Sequence, residues 1–156
     1  MIAVYSGIEY KYISNRRTKE IITKQVTKTD GTFCKDKGIY YKFVDEADLT
    51  DIYSVEFFIF FDTHLEGVPK WWKVTNADLI GDRIKIRFAS GILPNWDLEE
   101  KNVCTRLIDF EDISNAKVEY TFRKKDGKEV QLLVKEEKME LVNLLKEIDE
   151  YSENNL

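Results

Sequence analysis

Two clusters of carboxylates are the residues of this chain best placed to do chemistry. Asp45-Glu46-Ala47-Asp48, with Asp51 close behind, and Asp109-Phe110-Glu111-Asp112 each put three acids within four residues. Carboxylates that close together could hold a divalent cation or act as a general acid and base. A second pattern competes. An Asp at the end of a strand, with Asp three positions on, is also the pattern of a capped helical turn, where the acids satisfy free amides and complement the dipole. The first cluster lacks the Asp-x-Asp-x-Asp-Gly spacing of a calcium loop, so the cap is the stronger reading of both corners.

The other reactive types are few. His64 is the only histidine, in the polar loop Asp62-Thr63-His64-Leu65-Glu66-Gly67, and Cys34 and Cys104 are the only thiols. A Cys–His pair would be a nucleophile and its base, but no local signature surrounds either cysteine. Apolar counterparts in the repeat described below, Leu98 for Cys34 and Tyr40 for Cys104, point to packing roles instead. One histidine and two cysteines do not close a zinc site. The seven glycines form neither a phosphate loop nor a dinucleotide fingerprint. No catalytic residue, metal or cofactor is assigned.

Tryptophans are the remaining candidates. Trp71 and Trp72 are adjacent in a strand, so one faces inward and the other outward beside Lys70 and Lys73. The outward ring is either a binding anchor or a cross-strand packing group. Trp96 lies in the long loop Gly91–Glu100 with Asp97, Glu99 and Glu100. Long loops carrying aromatics and acids on a rigid sheet are common interaction sites; covering the core is the alternative role for Trp96.

These residues must be held by a sheet. Tyr10 and Tyr12 (with Ile8), Ile84, Ile86 and Phe88, and Val118, Tyr120 and Phe122 all alternate with polar neighbours, the period of half-buried strands. Strands are expected over 8–13, 20–28, 39–44, 52–61, 70–75, 83–88, 103–108, 116–124 and 129–134. Ser6-Gly7, Asp30-Gly31 and Asp126-Gly127 mark turns. Phe57-Phe58-Ile59-Phe60-Phe61 is apolar on both faces, which predicts a strand over 52–61 buried on both sides, placed centrally where the two halves share a core, with an exposed oligomer interface as the lesser alternative. Met139, Leu141, Val142, Leu144, Leu145, Ile148 and Tyr151 follow helical spacing and predict an amphipathic helix within 135–151.

The segment from Lys37 to Asp51 returns from Lys101 to Asn115, an offset of 64 residues (101 − 37), with Lys37/Lys101, Asp45/Asp109 and Asp48/Asp112 identical. Repeats set architecture before they set activity. The expected fold is α+β, mainly antiparallel β, with about ten strands in two similar halves and a C-terminal amphipathic helix. The expected organisation is a single domain over 1–156, with repeats near 1–64 and 65–134.

Charge narrows the partners. The chain carries 24 Lys and Arg against 29 Asp and Glu, a net charge of −5. Residues 135–156 hold three Lys against seven acids, leaving the rest close to neutral with no basic stripe. Nucleic-acid binding is therefore disfavoured. No apolar run approaches a membrane span, and Met1-Ile2-Ala3-Val4-Tyr5-Ser6 lacks the features of a signal peptide, so a cytoplasmic protein without a membrane partner is expected.

Two resemblances add to this reading. Leu107-Ile108-Asp109-Phe110-Glu111-Asp112-Ile113, followed by a hairpin and helix, is similar over about 103–150 to the end of pleckstrin-homology-like bacterial domains, which implies a ligand- or peptide-binding module. The tandem unit ending in Gly38-Ile39-Tyr40-Tyr41-Lys42-Phe43-Val44-Asp45 and Asn102-Val103-Cys104-Thr105-Arg106-Leu107-Ile108-Asp109, each followed by Asp-Leu or Asp-Ile, resembles small bacterial immunity proteins over about 20–125. That resemblance implies a non-catalytic protein that binds and neutralises a cognate toxin. The binding face then expected comprises Trp96, Asp97, Glu99 and Glu100 with the corner Asp45, Glu46 and Asp48.

Overall fold

The computed structural model describes residues 1–126 and 129–152. The fold is α+β: antiparallel sheet dominates and one helix follows it. Among the described residues there are thirteen strands, more than the ten or so expected, because short edge strands escape a periodicity reading. The chain divides into two compact units, one built from Met1–Val55, Tyr120–Lys135 and Asp149–Leu156, the other from Glu56–Glu119 and Glu136–Ile148.

The first unit opens with a meander. Strand β1 (Ile2–Tyr5) pairs with β2 (Ile8–Ser14), and β2 with β3 (Lys19–Thr23), all antiparallel. Ser6 and Gly7 turn the first hairpin with φ of 50° and 79°, the left-handed region that the tight turn demands. At the next turn the Asn15 carboxamide accepts the amides of Arg17 and Thr18 at 2.8 and 2.7 Å. β3 then pairs with β5 (Ile39–Phe43), and β5 with β4 (Cys34–Asp36). The alternation of β2 is real: Tyr10 and Tyr12 are buried with Ala3 and Ile21. Ile8, at the strand end, is exposed. The strand expected over 20–28 stops at Thr23, and a 3-10 turn, Val26–Lys28, takes its remainder. Its register follows a polar tether, since the Tyr10 hydroxyl donates to the Lys28 carbonyl at 2.6 Å.

Strand β6 (Leu49–Phe60) lies inside the large sheet, between β1 and β12 (Asn115–Asp126), and also pairs with β7 (Trp71–Val74). Phe57 and Ile59 on one face are buried, and Phe58 and Phe60 on the other are half-buried. In the first unit Tyr53 of β6 packs on Tyr120 and Phe122, with ring centroids 6.2 and 5.1 Å away. Its hydroxyl meets Glu9 and Tyr151. The last strand of the sheet is β13 (Glu129–Met139), next to β12. Gly127 of the expected Asp126-Gly127 turn lies outside the described residues.

The second unit holds a four-stranded sheet in the order β10 (Asp97–Glu100), β11 (Val103–Asp109), β9 (Arg83–Phe88), β8 (Leu79–Ile80). Its core gathers Ile59, Trp72, Val74, Ile84, Ile86, Cys104, Ile108, Ala116 and Val118. Helix α1 (Leu141–Glu150) adds Leu144 and Ile148, four residues apart on one face. The expectation of a helix from 135 is corrected: residues 135–139 are strand. Lys-Glu-Glu-Lys by itself favours helix over strand, and pairing with β12 overrides that preference, seen in the Lys117–Glu136 ion pair at 3.2 Å. The helix starts where the Glu140 carbonyl accepts the amides of Asn143 and Leu144.

Candidate partner-binding surface

The loop before β10 is built on tryptophan. Trp72 is buried in β7, opposite Ile59, and its indole N–H donates to the Phe61 carbonyl at 2.9 Å. The Trp96 ring lies on it, centroids 5.4 Å apart and planes tilted by 39°. The loop is tied down further by buried Leu93, whose carbonyl accepts the Trp96 amide, and by the Gly91 amide donating to the Asn102 carbonyl. Trp96 is therefore mainly a core-covering group and only half-exposed. Trp71 takes the outward place of its pair, yet it too is engaged: Phe60 meets it edge-on, and the Lys117 ammonium sits 4.6 Å from its ring centroid.

What this platform presents is β10. All four of its residues are exposed, and it is an edge of the four-stranded sheet. Asp97, Glu99 and Glu100 are exposed along this strand, as is Leu98 at 64%. The β10–β11 register shifts between Leu98 and Glu100, a bulge that twists the strand. Arg87 of β9 binds Glu99, Nη2 to Oε1 3.0 Å and Nε to Oε2 3.3 Å. That bond holds the Glu99 carboxyl below its ordinary range. Asp97 and Glu100 stand in solvent. Ile92, 65% exposed, adds apolar surface on the same anchored loop.

The second expected group, Asp45, Glu46 and Asp48, also sits together, in the first unit. The 3-10 turn Glu46–Asp48 forms as anticipated, closed by the Asp48 amide donating to the Asp45 carbonyl at 3.0 Å. The expected side-chain cap does not. Asp45 makes no capping hydrogen bond and its side chain is exposed. Glu46 instead turns inward, accepting the Tyr12 hydroxyl at 3.2 Å and the Lys19 ammonium at 3.3 Å. Arg123 and Lys124 line the same hollow, so this corner mixes both signs of charge. Asp109 likewise makes no cap; it faces Arg83 across the β11–β9 ladder and pairs with it at 2.8 Å.

A true capping box lies elsewhere. Thr75 and Asp78 bracket the 3-10 turn Asn76–Asp78, and the Asp78 carboxylate accepts the Thr75 amide at 2.8 Å. The Thr-x-x-Asp spacing could have revealed it. Thr75→Ala is therefore expected to cost about 1 kcal/mol, whereas Asp45→Ala should change stability by less than about 0.5 kcal/mol. Urea midpoints for the two variants check this contrast, and equal losses would contradict it.

The reactive groups are scattered. Cys34 is exposed on β4, which corrects its expected packing role; as an edge strand, β4 leaves one side open. Cys104 is buried and its thiol lies 3.6 Å from the Gly91 carbonyl. His64 is on an exposed loop with φ of 59°, its Nδ1 3.7 Å from Asp62. Among the described residues no three His, Cys, Asp or Glu side chains gather to hold a metal ion, and no helix is long and apolar enough to cross a membrane. Comparison with protein-family models, curated proteins and solved structures yields no match.

Proposed function

We propose that this chain is a non-catalytic immunity or inhibitor protein that acts in the cytoplasm by binding and neutralising a cognate bacterial toxin. The observation that carries the proposal is β10: an open sheet edge bearing three carboxylates and an exposed Leu98, on a loop anchored by Trp96. Acids around an apolar contact suit a basic partner, because opposite charge speeds encounter while the apolar group holds the complex. Toxins that attack nucleic acids are basic targets of this sort. Asp45 and Asp48 belong to the same proposal as a subsidiary acidic group. A duplicated origin fits it too, since 3-10 turns follow β5 and β11 at matching positions, Glu46–Asp48 and Phe110–Asp112.

Co-expression with the product of the neighbouring gene tests the proposal: a stable complex and protection of the host are expected, and neither appearing would sink it. With such a partner in hand, Asp97→Lys/Glu100→Lys should slow association about tenfold at low salt, an effect that fades as salt rises. Stopped-flow mixing reads that rate.

A second reading, a pleckstrin-like ligand-binding module, draws on a different feature. Arg16, Arg17 and Lys19 line a hollow at the β2–β3 turn, beside Phe43 and Asp45. Three bases there suit an anionic headgroup. Sedimentation with anionic but not neutral vesicles, lost in Arg16→Ala/Arg17→Ala, would favour it over the inhibitor.

A further inference from the structure

Strand β13 is apolar where it is exposed. Val130, Leu132, Leu133 and Val134 are 45%, 66%, 51% and 59% exposed. Successive strand residues point to opposite faces, so Val130, Leu132 and Val134 share one face and Leu133 stands on the other. The pattern is that of a strand covered on both sides, and residues 129–135 are covered on neither. β13 is also the end of the large sheet's strand order, which leaves its outer amides and carbonyls open to a further strand.

We propose that the further strand is β13 of a second copy, paired antiparallel about a two-fold axis through Leu132. The sequence of the strand is self-complementary in that register. Leu132 faces its own copy, Val130 faces Val134 of the second copy, Glu129 faces Lys135, and the uncharged Gln131 faces Leu133. On one face the apolar side chains of the two copies meet as cross-strand neighbours and shield one another, and on the other the opposite charges meet, twice by symmetry. Neighbouring registers do not do this. An axis between Leu132 and Leu133 sets Glu129 against Glu136 and Val130 against Lys135; an axis through Leu133 sets Glu129 against Glu137 and Val130 against Glu136. Like charges or apolar–charged pairs oppose each of them. The inference is independent of what the chain inhibits or binds.

Sedimentation velocity of the full chain over a range of concentrations tests it. The parent is expected to dimerise and Leu132→Glu to stay a monomer with an unchanged circular dichroism spectrum. Glu129→Lys and Lys135→Glu should each weaken the dimer about tenfold or more, since each sets like charges together at two places. The double reversal should recover the parent's affinity to within about threefold. In a Cys34→Ser background, Leu132→Cys should cross-link to its own copy on mild oxidation. A parent that stays monomeric at every concentration overturns the proposal, as does a dimer indifferent to both single reversals. Protection of the β13 amides that appears only with an added protein partner would assign the edge to that partner instead.

Discussion

Trp72→Ala is expected to lower folding stability by about 3–5 kcal/mol. The ring is buried, packs edge-on against Phe88 at 6.4 Å and under Trp96 at 5.4 Å, and carries the hydrogen bond to the Phe61 carbonyl. Truncation removes all three at once and opens a cavity that its neighbours fill only in part. Against a total of about 5–15 kcal/mol for a folded domain, most of the margin goes, and urea denaturation followed by circular dichroism will show it. Trp72→Phe separates the causes: it keeps a ring but leaves the carbonyl without its donor, at about 1–3 kcal/mol. Because Trp96 lies on Trp72, Trp96→Ala should be less costly in a Trp72→Ala background than in the parent. Strictly additive losses would mean that the two rings do not support each other. The same logic governs any binding assay on Trp96 variants: part of their effect will be loss of the loop rather than loss of a contact.

Lys117→Ala is expected to cost about 2 kcal/mol, less than the 3–5 kcal/mol of a fully buried ion pair because its partners are partly solvated. Lys117 lies in β12 with its side chain 11% exposed, 3.2 Å from both Glu119 and Glu136. Its ammonium sits 4.6 and 5.3 Å from the ring centroids of Trp71 and Phe58. Burial works against the charged form, and the two carboxylates outweigh it, so the amine holds its proton more tightly than the ordinary 10.5. A raised pKa in the folded state means that the stabilisation is complete below about pH 10.5. It is lost as pH climbs through the higher folded value. Lys117→Met keeps the packing over Trp71 and removes the charge, so the stability gap between parent and variant should be constant from pH 7 to 10 and shrink above that. A gap that persists unchanged to pH 12 would show that the charge contributes nothing.

The sheet was legible wherever one face is buried and the other wet. Tyr10 with Tyr12, and Ile84 with Ile86, betray their strands because alternation follows directly from which side meets the core. Phe57 and Ile59 announce an interior strand for the converse reason. The corner acids were not legible in the same way. Spacing shows that Asp45 can reach a free amide, but whether its side chain turns back or out depends on competing partners, and Glu46 rather than Asp45 has one in Tyr12 and Lys19. Lys135-Glu136-Glu137-Lys138 misleads in its turn, since its residues favour helix and only the pairing with β12 makes it strand. Trp96 shows the limit for the candidate surface: a tryptophan among acids reads as an anchor until Trp72 is seen beneath it.

The division of the chain has a consequence for how the protein comes into being on the ribosome. Neither unit is a continuous stretch: the one that contains the first 55 residues also needs Tyr120–Lys135 and residues from Asp149 on, and the other needs Glu136–Ile148. A nascent chain emerges at roughly 5–20 residues per second, and N-terminal domains ordinarily fold as they appear. Here the amino-terminal meander has an apolar cluster of its own, Ala3, Tyr10, Tyr12 and Ile21, but the unit it belongs to is complete only after the later segments have been made. Phe57–Phe61 belongs to the unit that also needs Glu136–Ile148, so this aromatic strand is unprotected for that interval and completion of its unit should be post-translational and aided by holding chaperones. Arresting synthesis before residue 136 should leave residues 56–119 open to protease.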